Sequence, residues 1–280
     1  VRWKHPQEGI LPPSIFIPLF ERIGFIVRLD EYIWESTCKL IRSWIDKGYQ
    51  PVPISVNVSR IHFSENNFEE KLTAITNKYH IPHHLIELEI TESAYYENEK
   101  EIINVMKNLQ RKGFFFSMDD FGSGYSSLGT LRLLPFNIVK LDRSFISDEI
   151  LDNRGKIVAR NTVNMAHELD MHIIAEGVET KEQSDMLKAM GCDIVQGFYY
   201  AKPMPEHEFL DLLKETNQTE IIEKYKNSKE EEKKGFIEQF NSLEKATPGG
   251  IKDYLKRAKI LLEDSKNNVN PLRLAIFINS

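Results

Sequence analysis

Six short apolar runs, rich in β-branched residues, alternate with amphipathic stretches of helical period between about residues 30 and 200. The runs are Pro51–Val58 (PVPISVNV), Leu85–Thr91 (LIELEIT), Phe114–Asp119 (FFFSMD), Phe136–Asp142 (FNIVKLD), His172–Glu176 (HIIAE) and Asp193–Phe198 (DIVQGF). Such runs, almost wholly apolar, predict parallel strands covered on both faces. Between them the spacing predicts helices over Glu31–Asp46 (Ile33, Trp34, Cys38, Ile41 and Ile45 on one face), Asn98–Lys112 (Ile102, Val105, Met106, Leu109) and Arg154–Leu169 (Ile157, Val158, Met165, Leu169). A fourth helix opens at Thr180, whose spacing to Gln183 fits a capping box. Repeating units of about 25–35 residues favour an α/β fold of the (β/α) TIM-like barrel type. An open doubly wound sheet is the alternative, weakened by the lack of a G-x-G-x-x-G turn after any strand.

Beyond Pro205 the character changes. Residues 219–245 are dominated by Lys, Glu and Asn, including Lys229–Lys234 (KEEEKK), a pattern of a solvated face. Pro248-Gly249-Gly250 then precedes an amphipathic stretch, Ile251–Asp264, with Leu255, Ala258, Leu261 and Leu262 on its apolar side. The expected division is a barrel over 1–214, a charged linker helix over 215–246 and a helical appendage over 247–280. Leu272–Ser280 reads as a frayed or truncated end.

The net charge of -6 argues against non-specific binding along duplex nucleic acid, which needs a Lys/Arg surface. Cys38 and Cys192 match no metal-ligand spacing and read as buried reduced thiols of a cytoplasmic protein. No apolar run approaches the roughly 18 residues of a membrane helix. Residue 1 is Val, so a membrane anchor or sensory segment upstream stays open.

Polar residues interrupt the strands at one end only. Asn57, Glu89, Asp119 with Asp120, Lys140 with Asp142, Glu176 and Gln196 each lie at or near the C-terminal end of a predicted strand. Any one of them has an ordinary explanation as a cap, a turn residue or a surface ion pair. Together they converge on the mouth of a barrel, where barrel enzymes carry their sites. Four carboxylates buried side by side need cations to neutralise them. An all-oxygen donor set points to Mg²⁺ or Mn²⁺ over Zn²⁺. Two such ions, roughly 3.5–4 Å apart, suit phosphodiester hydrolysis. Lys140 would supply fixed positive charge, and Glu176 would accept a proton from water or complete a metal shell.

The residues also resemble a known family. Arg2–Pro6 (RWKHP), Phe16–Leu19 (FIPL), Ser55–Ser59 (SVNVS), Glu87–Ser93 (ELEITES), Asp119–Leu128 (DDFGSGYSSL), Val139–Phe145 (VKLDRSF), Ala175–Gln183 (AEGVETKEQ) and Gly191–Gly197 (GCDIVQG) follow, in order, the motifs of EAL-type phosphodiesterases. That family opens cyclic-di-GMP to linear pGpG, and the resemblance covers about residues 1–210. It implies that Asn57, Glu89 and Asp119 are metal ligands, with Asp119 bridging two ions and Asp120 on the second. It implies that Lys140 positions the water and that Glu176 is the general base. Arg2, Gln196 and Asp142 form the implied substrate-binding set, Arg2 as a phosphate contact. Glu92 and Glu179 would hold the loop after Asp120, which would reach a homodimer interface.

This sequence departs from the family in two ways. Ser123 stands where the family's loop usually has Thr, and its hydroxyl survives. The family's namesake glutamate, a metal ligand, would lie three residues before Val1. A chain starting at Val1 is therefore expected to bind metal weakly and turn over poorly, while a longer parent, with room for an upstream sensory or GGDEF-type domain, is expected to be active. A cyclic-di-GMP receptor that binds without cutting is the competing expectation, and a scaffold with neither activity a third. Thr247–Pro271 is similar to a helical segment near the start of UTP–sugar-phosphate uridylyltransferases. The same stretch also reads as an ordinary helix after a Pro-Gly-Gly turn, and no transferase activity is assigned to it.

Overall fold

The computed structural model of the chain describes residues 1–65, 67–91, 99–122, 131, 133–145 and 153–214. The linker and appendage expected over 215–280 lie outside the described residues, as do Glu92 and Ser123.

An antiparallel pair, β1 (Trp3–His5) and β2 (Gly9–Leu11), opens the chain. Helices α1 (Pro13–Arg22) and α2 (Ile26–Asp46) follow. Then β3 (Ile54–Asn57), α3 (Phe68–Lys78), β4 (Ile86–Thr91), α4 (Glu99–Arg111), β5 (Phe115–Phe121), β6 (Ile138–Leu141), α5 (Asn153–Glu168), β7 (His172–Ala175), α6 (Lys181–Ala189) and β8 (Ile194–Val195) succeed one another. Residues 206–214 form a last described helix.

Strands β3 to β8 make one six-stranded sheet in sequential order, and every pairing in it is parallel. Sequential order with no reversal is the arc of a (β/α) barrel; a doubly wound sheet would reverse at a switch point. Each of the six apolar runs supplies one of these strands. The strand interiors are sealed: Leu88, Ile90, Phe116, Val139, Leu141, Ile173 and Ala175 are all fully or almost fully buried.

The helices pack by the periodicity of their apolar residues. On α2, Ile26, Asp30, Trp34, Thr37, Cys38, Ile41 and Trp44 recur at helical spacing and are buried. On α4 the buried residues include Ile102, Met106 and Leu109. The capping box of α6 is present, with the Thr180 hydroxyl accepting from the Gln183 N–H and the Gln183 side chain accepting from the Thr180 N–H.

Helix α5 corrects the expectation for its face. Ala159, Thr162, Val163 and Ala166 are buried, whereas Ile157 and Val158 are about half exposed and Leu169 is exposed as well. Met165, also expected on the inner face, does pack against the core, so the expectation fails for Ile157, Val158 and Leu169, whose places inside are taken by smaller side chains. The antiparallel β1–β2 pair, α1 and α3 were not read from the sequence. Cys38 and Cys192 are free and buried, and burial pushes both thiols up to about 12. Among the described residues no helix is long and apolar enough to cross a membrane.

Candidate functional site

The parallel register brings the strand ends together. Asn57 pairs with Glu89 across β3 and β4, and Thr91 with Asp119 across β4 and β5. Lys140 pairs with Ile174, two residues before Glu176. Main-chain bonds carry this alignment past the strand ends: Glu176 N–H donates to the Leu141 carbonyl at 3.0 Å, and Gln196 N–H to the Ala175 carbonyl at 2.8 Å.

Lys140 is the hub. Its Nζ lies 2.6 Å from Glu89 Oε1, 2.9 Å from Asp119 Oδ1 and 2.6 Å from Glu176 Oε1. Burial alone would lower its pKa, but Glu89, Asp119 and Glu176 outweigh burial and hold it well above the ordinary lysine range. The lysine is therefore charged at every physiological pH.

Asp119 and Asp120 are consecutive, and a regular strand would send them to opposite faces. The structure avoids this with an irregularity. Met118 pairs with Val139 and Phe121 with Leu141, so β5 has one more residue than β6 between these pairs. Asp120 takes up the difference with a left-handed backbone, φ 56°. Aspartate tolerates this conformation better than most residues. As a result, Asp119, Asp120 and Glu176 each present an oxygen within 4.8 Å of the others. Gly122, φ 93°, completes the turn; a Cβ there would run into the Phe145 ring.

One ammonium does not balance this many carboxylates. Burial raises Glu89 to about 7 even with Lys140 beside it, and Asp119 adds to the rise. Burial and Asp119 also raise Asp120, helped by Asp142, and burial raises Glu176 against the pull of Lys140. Negative charge is thus in excess at a partly buried cluster, with oxygen donors only. A divalent cation of the Mg²⁺ or Mn²⁺ type fits that donor set and that charge deficit.

The remaining expected residues have other local partners. Gln196 directly follows β8, and its carbonyl accepts the Val178 N–H at 3.0 Å. Asp142 is close enough to Asp120 to raise it, but its Oδ1 accepts the Ser144 N–H at 2.9 Å, so the carboxylate caps the turn after β6. Glu179 is exposed, and its N–H donates to Gln183 Oε1 at 2.8 Å. Arg2 precedes β1 and donates to the Val1 carbonyl at 2.8 Å. Trp34, read from the sequence as a core residue alone, donates from its indole Nε1 to the Asn57 carbonyl at 3.1 Å. The available signal was general: a fully buried tryptophan needs an acceptor for its N–H.

The EAL domain profile matches residues 1–203. The chain belongs to the EAL domain family. It is 36% identical over 211 residues to the bifunctional diguanylate cyclase/cyclic di-GMP phosphodiesterase MucR of Pseudomonas aeruginosa, covering 75% of this chain and 31% of MucR. It is 34% identical over 210 residues to the cyclic di-GMP phosphodiesterase RocR of the same organism, covering 75% of this chain and 53% of RocR. This EAL chain thus spans about a third to a half of the length of these relatives. The solved P. aeruginosa MucR phosphodiesterase in complex with c-di-GMP superposes with a TM-score of 0.69 at 34% identity, over 74% of this chain and 84% of that one. The barrel architecture of the EAL fold is the one described above.

Proposed function

We propose that this EAL domain hydrolyses one phosphodiester bond of cyclic di-GMP, giving linear pGpG. The observation that carries the reading is the meeting of Glu89, Asp119 and Glu176 on Lys140, with Asp120 turned in beside them, at the C-terminal ends of parallel strands. The similarity to MucR and RocR supports the choice of substrate.

Asn57, Glu89, Asp119 and Asp120 are the residues that would hold two divalent ions. Such ions supply Lewis acidity toward water and the phosphoryl oxygens, and they offset the acidic charge that would otherwise repel an anionic diester. Glu176, raised by burial and tethered to Lys140, accepts a proton from the attacking water. The water oxygen forms the new P–O bond and the bond to a ribose 3′-oxygen breaks; that oxygen takes up a proton from solvent and leaves as a hydroxyl, while the proton held by Glu176 returns to solvent. Lys140 keeps its charge throughout and stabilises the negative charge that gathers at phosphorus. Gln196 and Arg2 are assigned to the substrate side, Arg2 to a phosphate. Asp142 is assigned a supporting place through its turn. Glu92 and Glu179 are assigned to holding the loop after Asp120, in which Ser123 lies.

Self-association belongs to the same reading. The contact expected for it, the loop after Asp120, lies outside the described residues but for Phe121 and Gly122. Among the described residues, Ile157 and Val158 form an exposed aliphatic pair on α5, which we assign as a further contact with a second copy.

The test is chromatography of cyclic di-GMP incubated with the protein and Mg²⁺ or Mn²⁺. Accumulation of pGpG, abolished by chelator and lowered at least about 100-fold in Glu176→Gln, is the expected result. Saturable binding of intact cyclic di-GMP with no product under every metal condition would make the domain a receptor and overturn the proposal.

A further inference from the structure

Asn57 ends the edge strand of the described sheet, so on one side its main chain has no strand neighbour among the described residues. Helix α2 supplies what the sheet does not. Trp34 Nε1–H donates to the Asn57 carbonyl at 3.1 Å. One turn earlier, Asp30 Oδ2 accepts the Ser59 N–H at 2.9 Å. Between them, the Val58 N–H donates to the Glu89 carbonyl at 2.9 Å. Three consecutive residues are therefore each fixed by one hydrogen bond, two from the helix and one from β4.

The two helix groups are themselves held in place. His62 Nε2 lies 3.1 Å from Asp30 Oδ2, and the Trp34 ring packs 4.5 Å from the His62 ring and 5.6 Å from Phe68. Asp30 is 3% exposed, His62 0% and Trp34 1%. A carboxylate this deeply buried is costly, and an apolar pair would hold α2 against the sheet without that cost. What the polar pair adds is direction, because its hydrogen bonds go to the main chain on either side of Val58.

We propose that Trp34 and Asp30 are positioning residues that fix the backbone of Asn57, so that its carboxamide is preset toward the cation site. The inference rests on the reading of Asn57 as a metal ligand.

The same helix provides a matched control. Trp44, ten residues further along α2, is 0% exposed, and its Nε1–H donates to Glu206 Oε1 at 3.1 Å. Trp34→Phe and Trp44→Phe each delete one buried indole hydrogen bond, and only the first deletes a bond to Asn57. Mn²⁺ affinity would be measured by electron paramagnetic resonance of the free ion, and Tm by calorimetry, on both variants, on Asn57→Ala and on the parent protein. The expected result is an Mn²⁺ affinity about 5–10-fold weaker in Trp34→Phe and within about 2-fold of the parent in Trp44→Phe, with similar losses of Tm. A second pair guards against misfolding at Trp34. Asp30→Asn keeps an acceptor for the Ser59 N–H and should hold affinity near the parent value, whereas Asp30→Ala should weaken it. Equal affinities in the two tryptophan variants, with Asn57→Ala weakened, would overturn the positioning role alone. Parent-like affinity in Asn57→Ala would overturn the ligand reading and this inference with it.

Discussion

The Nζ of Lys140 lies 2.6 Å from Oε1 of Glu89, and the two side chains are only 7% and 10% exposed. A pair this dry draws its worth from being complete: removing one partner leaves the other charge buried and uncompensated. Here the lysine also serves Asp119 and Glu176.

Lys140→Met is therefore expected to destabilise the metal-free protein by about 3–5 kcal/mol. Divalent ions should recover more stability in this variant than in the parent, because they take over the neutralising role. Urea denaturation in chelator and in Mg²⁺, on both proteins, measures the difference. Equal gains from Mg²⁺ in the two would contradict the assignment of one shared charge deficit.

Glu89 gives a pH dependence of definite sign. Its folded pKa of about 7 lies above the ordinary value of 4.5. Between these values the folded protein holds a proton that the unfolded chain releases, so stability falls as pH rises through this window. Below it the carboxyl is neutral in both states and carries no penalty. Glu89→Gln, which keeps a carbonyl acceptor for Lys140, should stabilise the metal-free protein above pH 7 by a few kcal/mol and have little effect near pH 4. Thermal melts across pH in the presence of chelator decide the matter.

Gly197 is where the turns after β7 and β8 touch. A Cβ there would collide with the Val178 main chain, whose N–H and C=O are bonded to Gln196 and Tyr199. Backbone cannot rotate away as a side chain can. Gly197→Ala should cost about 1–3 kcal/mol and lower the Tm by roughly 2–10 °C. Turnover should fall with it, since Glu176 and Gln196 flank the contact. Calorimetry and the cyclic di-GMP assay together test this.

Ile157 and Val158 are the large aliphatic residues that α5 turns away from the core. If they meet a second copy, Ile157→Lys with Val158→Lys should convert a dimer to a monomer in sedimentation velocity, with little change in Tm. A parent protein that sediments as a monomer at tens of micromolar would remove the self-association proposal.

The strands and the strand-end residues were legible in the sequence because burial on both faces leaves few places for polar groups. A carboxylate at the end of an apolar run stands out for that reason. Helix α5 was misread because periodicity ranks residues by hydrophobicity, whereas Ala159 and Ala166 are inside on account of their size. The hydrogen bond from Trp34 to Asn57 was not legible at all: it joins an indole to a main-chain carbonyl, and side-chain patterns carry no trace of such acceptors. The antiparallel β1–β2 pair, three residues per strand, was too short to declare itself.

The extra residue in β5 has a consequence for anyone wishing to transplant this site. The two adjacent aspartates share one side because the chain is one residue out of step there and Asp120 is left-handed. Copying the letters onto a regular strand of another barrel would send one carboxylate to the mouth and the other into the surrounding helix layer. A successful graft must carry over the miscount along with the acids, together with a glycine to receive the Phe145 ring.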